Sequence, residues 1–188
     1  MVTGKESTFK NAVRKIAVNY ACEEDMPIYC GEMKLPDRKE VVDILNEIER
    51  ILFPAYFGVS TLRGMTAPEF VEKTLISIYY QLKTQLELSL SLSKCTNVKR
   101  VFKPDELDNI CDEFINELPN LQEMLLKDVT ANYEGDPAAM SKSEIVLSYP
   151  GFYAIFVYRI AHELYKRKVP FVPRMMTEYA HGKTGIDI

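Results

Sequence analysis

Five side chains in this sequence have types suited to chemistry: Asp136, Arg159, His162, His181 and Asp187. Arg159 and His162 stand in the aromatic run YPGFYAIFVYRIAHELYKRKVP. Read at helical spacing, Phe152, Ile155, Phe156, Arg159, Ile160 and Glu163 mark one face, and Tyr158, Ala161, His162 and Tyr165 mark another. Both faces carry apolar residues, so the helix is buried on more than one side. An arginine and a histidine placed there need partners, because burying an unpaired polar group is costly. Arg159 therefore reads as an internal ion pair or helix-end tether, and His162 as a hydrogen-bonded packing histidine. His181, beside Gly182 in a loop-like tail, reads as solvated. Two histidines far apart, without nearby cysteines or paired carboxylates, give little support to a zinc site, and no metal is expected. No serine sits in a nucleophile elbow and no glycine-rich phosphate loop occurs. Asp136 precedes Pro137 and is most simply a turn former or helix cap, and Asp187 carries less signal still. Residue types and spacing alone yield no enzyme.

The elements that must position these residues are helices. From Pro68 to Leu92, Val71, Leu75, Ile78, Leu82, Leu86 and Leu90 recur at steps of three and four, with Thr66 and Pro68 as a start signal. PDRKEVVDILNEIERILF opens with Asp37 three residues before Glu40, a capping-box-like pattern, and carries Val41, Ile44, Ile48 and Leu52 on one side. A helix begins near KPDELDNICDEF with the stripe Leu107, Cys111, Phe114 and Leu118, and Pro119 is expected to break or kink it. NLQEMLLKDVTANYE then reads as a further helix. EEDMPIYCGEMKLP reads as a loop, NYEGDPAAMSKSE as a turn, and HGKTGIDI lacks helical periodicity. The fold class is all-α, with about six or seven helices. The chain divides into a helical segment at 1–103, a second helical unit at 104–182 and a short lead-in at 183–188.

The 188 residues suffice for one good core. A formal charge of −4 gives no reason to expect nucleic acid or an anionic membrane as partner, and no apolar run approaches the ~20 residues of a membrane span. The N-terminus lacks the apolar core of a secretory signal. The four cysteines, Cys22, Cys30, Cys95 and Cys111, form no Cys-x-x-Cys pair, and Cys111 on its apolar face reads as a buried free thiol. A cytoplasmic setting is expected.

Three motifs in order, DVTANYEGDPAA, YPGFYAIFVYRIAHELY and the closing GIDI, resemble serine O-acetyltransferases over about the last 70 residues. The resemblance implies a helical N-terminal domain followed by a left-handed β-helix of hexapeptide repeats, which this chain would stop just short of. It implies transfer of acetyl from acetyl-CoA to the hydroxyl of L-serine, giving O-acetylserine for cysteine biosynthesis. Asp136 matches the aspartate that helps bind serine, through the ammonium group of the substrate. Asp187 matches the aspartate that pairs with a catalytic histidine, here expected outside this chain. Arg159 and His162 keep structural, supporting roles. On this reading the chain binds no cofactor, has acetyl-CoA as co-substrate only in the full enzyme, and is inactive alone. Homo-oligomers through the helical domain are implied. O-acetylserine sulfhydrylase would be met through a C-terminal tail not present here, and Ile188 is not that tail. The alternative is a non-catalytic helical oligomerisation or binding module.

Overall fold

The structure, a computed structural model, describes residues 2–20, 26–29, 31–58, 64–96, 98 and 101–188. Among the described residues there are eight α-helices and no β-strand: α1 (Val2–Asn19), α2 (Arg38–Leu52), α3 (Pro54–Phe57), α4 (Ala67–Cys95), α5 (Leu107–Gly135), α6 (Lys142–Ser148), α7 (Pro150–Lys166) and α8 (Val172–Thr184). A short 3-10 turn, Pro104–Glu106, leads into α5. Cys22 and Cys30 lie outside the described residues.

The start signals act as their chemistry requires. Thr66 caps α4 in a reciprocal capping box with Glu69. Asp37 caps α2 by accepting from the amides of Lys39 and Glu40, and its own amide donates to Gln85 Oε1 at 2.8 Å instead of closing a box with Glu40. That bond ties the start of α2 to α4. At the other end of α2 the carbonyl of Leu52 accepts from Gln122 of α5 at 2.7 Å, which satisfies a group the helix leaves open.

One buried cluster unites α2, α4, α5, α7 and α8, with Ile44, Ile48, Leu82, Leu86, Phe114, Leu121 and Ile160 at its centre. Polar residues on the inward face of α4 are satisfied along the helix itself: the hydroxyls of Thr74 and Ser89 donate to the carbonyls of Phe70 and Gln85. Val71, expected on that face, is exposed, and Phe70 is buried in its place. α7 and α8 pack most extensively. Their short connection is a Schellman turn, in which Lys168 takes φ 63° and its amide donates to Tyr165, while that of Val169 donates to Leu164.

Two expectations are corrected. Pro119 does not end a helix: α5 runs unbroken through it for 29 residues. The missing amide costs one hydrogen bond, about 3 kcal/mol in an exposed helix interior. On either side Phe114, Leu118, Leu121 and Leu125 stay in register and buried, each worth about 1.5–3 kcal/mol. The tail HGKTGIDI is also partly helical, since α8 continues through His181 and Gly182 to Thr184 before Gly185 ends it at φ 71°. The helix count exceeds the expected six or seven because α1 and the one-turn α3 lack a strong sequence signal.

Candidate functional site

Asp136 sits where α5 ends. Pro137 follows it, so the backbone leaves helical geometry, and Asp136 becomes the C-cap with φ −115° and ψ 104°. Its Oδ1 accepts from the amide of Ala138 at 2.9 Å, which tightens the turn. Its Oδ2 accepts from the hydroxyl of Tyr149 at 2.6 Å. Tyr149 is in turn fixed as the N-cap of α7, directly before Pro150. The loop between is pinned at its far end by Ser141, which caps α6, and by Glu144, which accepts from the amide of Met140.

The electrostatics of this turn are simple. The Tyr149 hydroxyl, followed by the Ala138 amide, holds the Asp136 carboxyl below its ordinary value. The same bond, with burial and the carboxylate charge adding to it, pushes the Tyr149 phenol up to about 12. Both donors to Asp136 are neutral, and among the described residues no basic side chain pairs with it. The negative charge is ordered but not neutralised.

Tyr149 also borders a cleft of about 360 Å³ lined by Glu49, Phe57, Tyr153, Lys183 and Thr184. Burial raises the Glu49 carboxyl, against the pull of Lys183. The Lys183 ammonium lies 5.0 Å from the ring centre of Tyr179 and 5.4 Å from that of Tyr153. The Tyr153 hydroxyl is buried and, with Tyr179 as its neighbour, makes no hydrogen bond of good geometry among the described residues.

Arg159 forks onto Asp128 of α5, with Nε to Oδ2 at 2.6 Å and Nη2 to Oδ1 at 2.7 Å, and its Nη1 lies 3.6 Å from Met124 Sδ. A two-pronged, partly buried pair of this kind locks α7 to α5. His162 stacks between Tyr158 and Tyr165, with ring centres 5.4 and 6.3 Å away. One turn on from Arg159, Glu163 is buried and paired to both Lys166 and Arg167. Burial alone would raise its carboxyl, but the two cations outweigh it and hold it low.

Asp187 is 98% exposed, and its Oδ1 lies 3.1 Å from His181 Nδ1. His181 is thus a neighbour that a loop reading of the tail did not foresee; one further turn of α8 brings it round. No hydrogen bond among the described residues joins Asp136 to His162, His181 or Asp187. Asp128 and Tyr149 were also missed as partners. Nothing local marks Asp128, whereas a tyrosine immediately before the Pro-Gly start of α7 was a usable signal for Tyr149. No group of three or more His, Cys, Asp or Glu among the described residues is gathered to hold a metal ion. No helix among them is long and apolar enough to cross a membrane.

Comparison with known proteins gives this arrangement relatives. Residues 68–156 match the family described as serine acetyltransferase, N-terminal. Over 158 residues, 82% of this chain, the sequence is 37% identical to a plasmid serine acetyltransferase of Synechococcus elongatus, of which it covers 50%. A 65-residue stretch is 48% identical to the serine acetyltransferase of Bacillus licheniformis, covering 35% of this chain and 30% of that enzyme. In structure, the chain resembles native serine acetyltransferase 1 of Entamoeba histolytica with a TM-score of 0.61 and 26% identity, over 93% of this chain and 59% of that one. Isoform 3 from the same organism, solved in complex with cysteine, gives 0.59 and 22% identity, over 100% of this chain and 59% of that one. The chain spans about half the length or less of the curated relatives it matches. By sequence and by fold, its helices match the N-terminal region of serine acetyltransferases.

Proposed function

We propose that these residues serve an enzyme that transfers acetyl from acetyl-CoA to the hydroxyl of L-serine, and that Asp136 holds the serine ammonium. The carrying observation is that Asp136 is kept ionised by two neutral donors while its charge has no cationic partner among the described residues. An ammonium group supplies that missing charge, and the ordered turn fixes its direction. In the reaction a histidine base takes the serine hydroxyl proton as the serine oxygen bonds to the thioester carbonyl carbon. The carbon–sulfur bond then breaks, and coenzyme A leaves as the thiol once it gains a proton. Asp187 is proposed to orient that base and stabilise its imidazolium. Arg159 and His162 support the helix and touch no substrate. The product, O-acetylserine, would feed cysteine biosynthesis in the cytoplasm, with copies of the chain associating through the helical region.

His181 meets Asp187, but no hydrogen bond among the described residues joins that pair to Asp136, so the chain assayed alone is expected to show no transfer. Acetyl transfer from acetyl-CoA to L-serine, followed by thiol release, tests this. Robust release by the 188-residue chain, lost on Asp136→Ala, would overturn the requirement for an external base.

A further inference from the structure

The loop from Asp136 to Ser143 is held by contacts that do not involve the Tyr149 hydroxyl. The amide of Ala139 donates to the Asp136 carbonyl at 3.1 Å. Ser141 caps α6 by accepting from the amide of Glu144, and the Glu144 carboxylate accepts from the amide of Met140 at 2.7 Å. The Lys142 ammonium donates to Thr130 Oγ1 of α5 at 2.9 Å, and the Ser143 hydroxyl meets that of Tyr56 of α3 at 2.9 Å. The backbone of the turn therefore has its own anchors, and the bond from Tyr149 to Asp136 serves something else.

Tyr149 is itself set firmly. Its amide donates to the carbonyl of Ile145 at 3.2 Å, its carbonyl accepts from the amides of Phe152 and Tyr153, and its half-buried ring packs on the core. A phenol on such a frame presents its hydroxyl at one place. The Asp136 side chain has no comparable packing, since it stands half-buried at a helix end. The Ala138 amide holds Oδ1 at 2.9 Å, and a single contact on one oxygen is a pivot. The Tyr149 hydroxyl, 2.6 Å from Oδ2, is the second point that stops the carboxylate turning. Each carboxylate oxygen has two lone pairs and here gives up one, so both keep one for a further donor. Neighbouring charges do not share this task. Glu144 adds only a like charge near Tyr149. Glu49 and Lys183 line the adjoining cleft, and no hydrogen bond among the described residues joins either to Asp136.

We propose that Tyr149 is a positioning residue for the transfer: its hydroxyl, bonded to Asp136 Oδ2, aims the carboxylate whose remaining lone pairs receive the serine ammonium. Tyr149 touches no substrate. The inference rests on the assignment of Asp136 to that ammonium. Its physical content is preorganisation, because a carboxylate already turned toward its cation loses less freedom when the cation arrives.

Steady-state kinetics of the protein of the native gene test it, with Tyr149→Phe, Asp136→Ala and the double variant. Phenylalanine keeps the ring and removes only the hydroxyl, so the helical circular dichroism should match wild type. Tyr149→Phe should raise KM for L-serine about threefold to tenfold, the scale of immobilising one side chain on binding, with KM for acetyl-CoA unchanged. Added to Asp136→Ala, which has no carboxylate to aim, the same change should have no further effect. Full additivity in the double variant, or an equal rise in both KM values, would show Tyr149 acting independently of Asp136 and overturns the proposal. Loss of the helical signal in Tyr149→Phe would make the hydroxyl a structural group and overturns it as well. An unchanged KM for L-serine in Tyr149→Phe, beside a raised one in Asp136→Ala, overturns it while the role of Asp136 stands. Should Asp136→Ala leave that KM unchanged, the role of Asp136 fails and the proposal falls with it.

Discussion

α5 presents two aspartates to α7, eight residues apart, and they are treated differently. Asp128 is 18% exposed and both its oxygens are closed by the guanidinium of Arg159. Asp136, at the helix end, is bound as firmly, but by a phenol and an amide that bring no charge. The first carboxylate is neutralised and serves to fasten two helices. The second is ordered yet remains a net negative site at the surface, able to take a cation. Polar contacts alone would not separate them; the charge of the partner does.

The largest test of this contrast is stability. Asp128→Ala leaves Arg159 partly buried without its counter-charge and should cost about 1–3 kcal/mol. Asp136→Ala, at an exposed turn, should cost less than about 1 kcal/mol. Urea unfolding of both variants measures the gap, and equal losses would break the distinction.

A smaller effect concerns pH. Tyr149 ionises near 12 when folded against an ordinary 10.0, so its bond to Asp136 contributes stability that is fully present below pH 10 and lost as pH climbs toward 12. For Asp136 the sign is opposite: its folded value is depressed, so its contribution is present above the ordinary carboxyl range and lost as pH falls through the lowered value. Tyr149→Phe should move the Asp136 carboxyl upward in a carbon-13 titration, and Asp136→Asn should bring the phenol back toward 10.0 in ultraviolet absorbance. No movement in either would show that the 2.6 Å bond does not form in solution.

The smallest test is kinetic and contrasts a thiol inside the core on α5 with one at the exposed end of α4. Cys111 is buried, and burial pushes its thiol up to about 12, so it should resist alkylation in the folded chain while exposed Cys95 reacts. Peptide mapping after a brief iodoacetamide pulse would show both sites.

Much of the fold was legible because its signals are local. Thr66 with Pro68, Asp37 before α2 and the aliphatic stripe of α4 each act within one or two turns. Pro119 misled because a single lost hydrogen bond is a local cost, whereas the burial that offsets it comes from α4 and α7. The end of α8 was obscured by Gly182, a poor helix former carried through by the packing of Met176 and Ala180. At the site, Asp136 was visible only through resemblance, since its partner Tyr149 stands 13 residues away across a separate helix. The Arg159 partner, 31 residues distant, left no trace in the local pattern.

The most direct measurement is serine-dependent acetyl transfer by the protein of the native gene, wild type against Asp136→Asn. The account predicts that KM for L-serine rises about tenfold to a hundredfold while KM for acetyl-CoA is unchanged, the signature of a lost charge-assisted contact to one substrate. An unchanged KM for L-serine, or an equal rise for both substrates, would contradict the assignment of Asp136 to the serine ammonium.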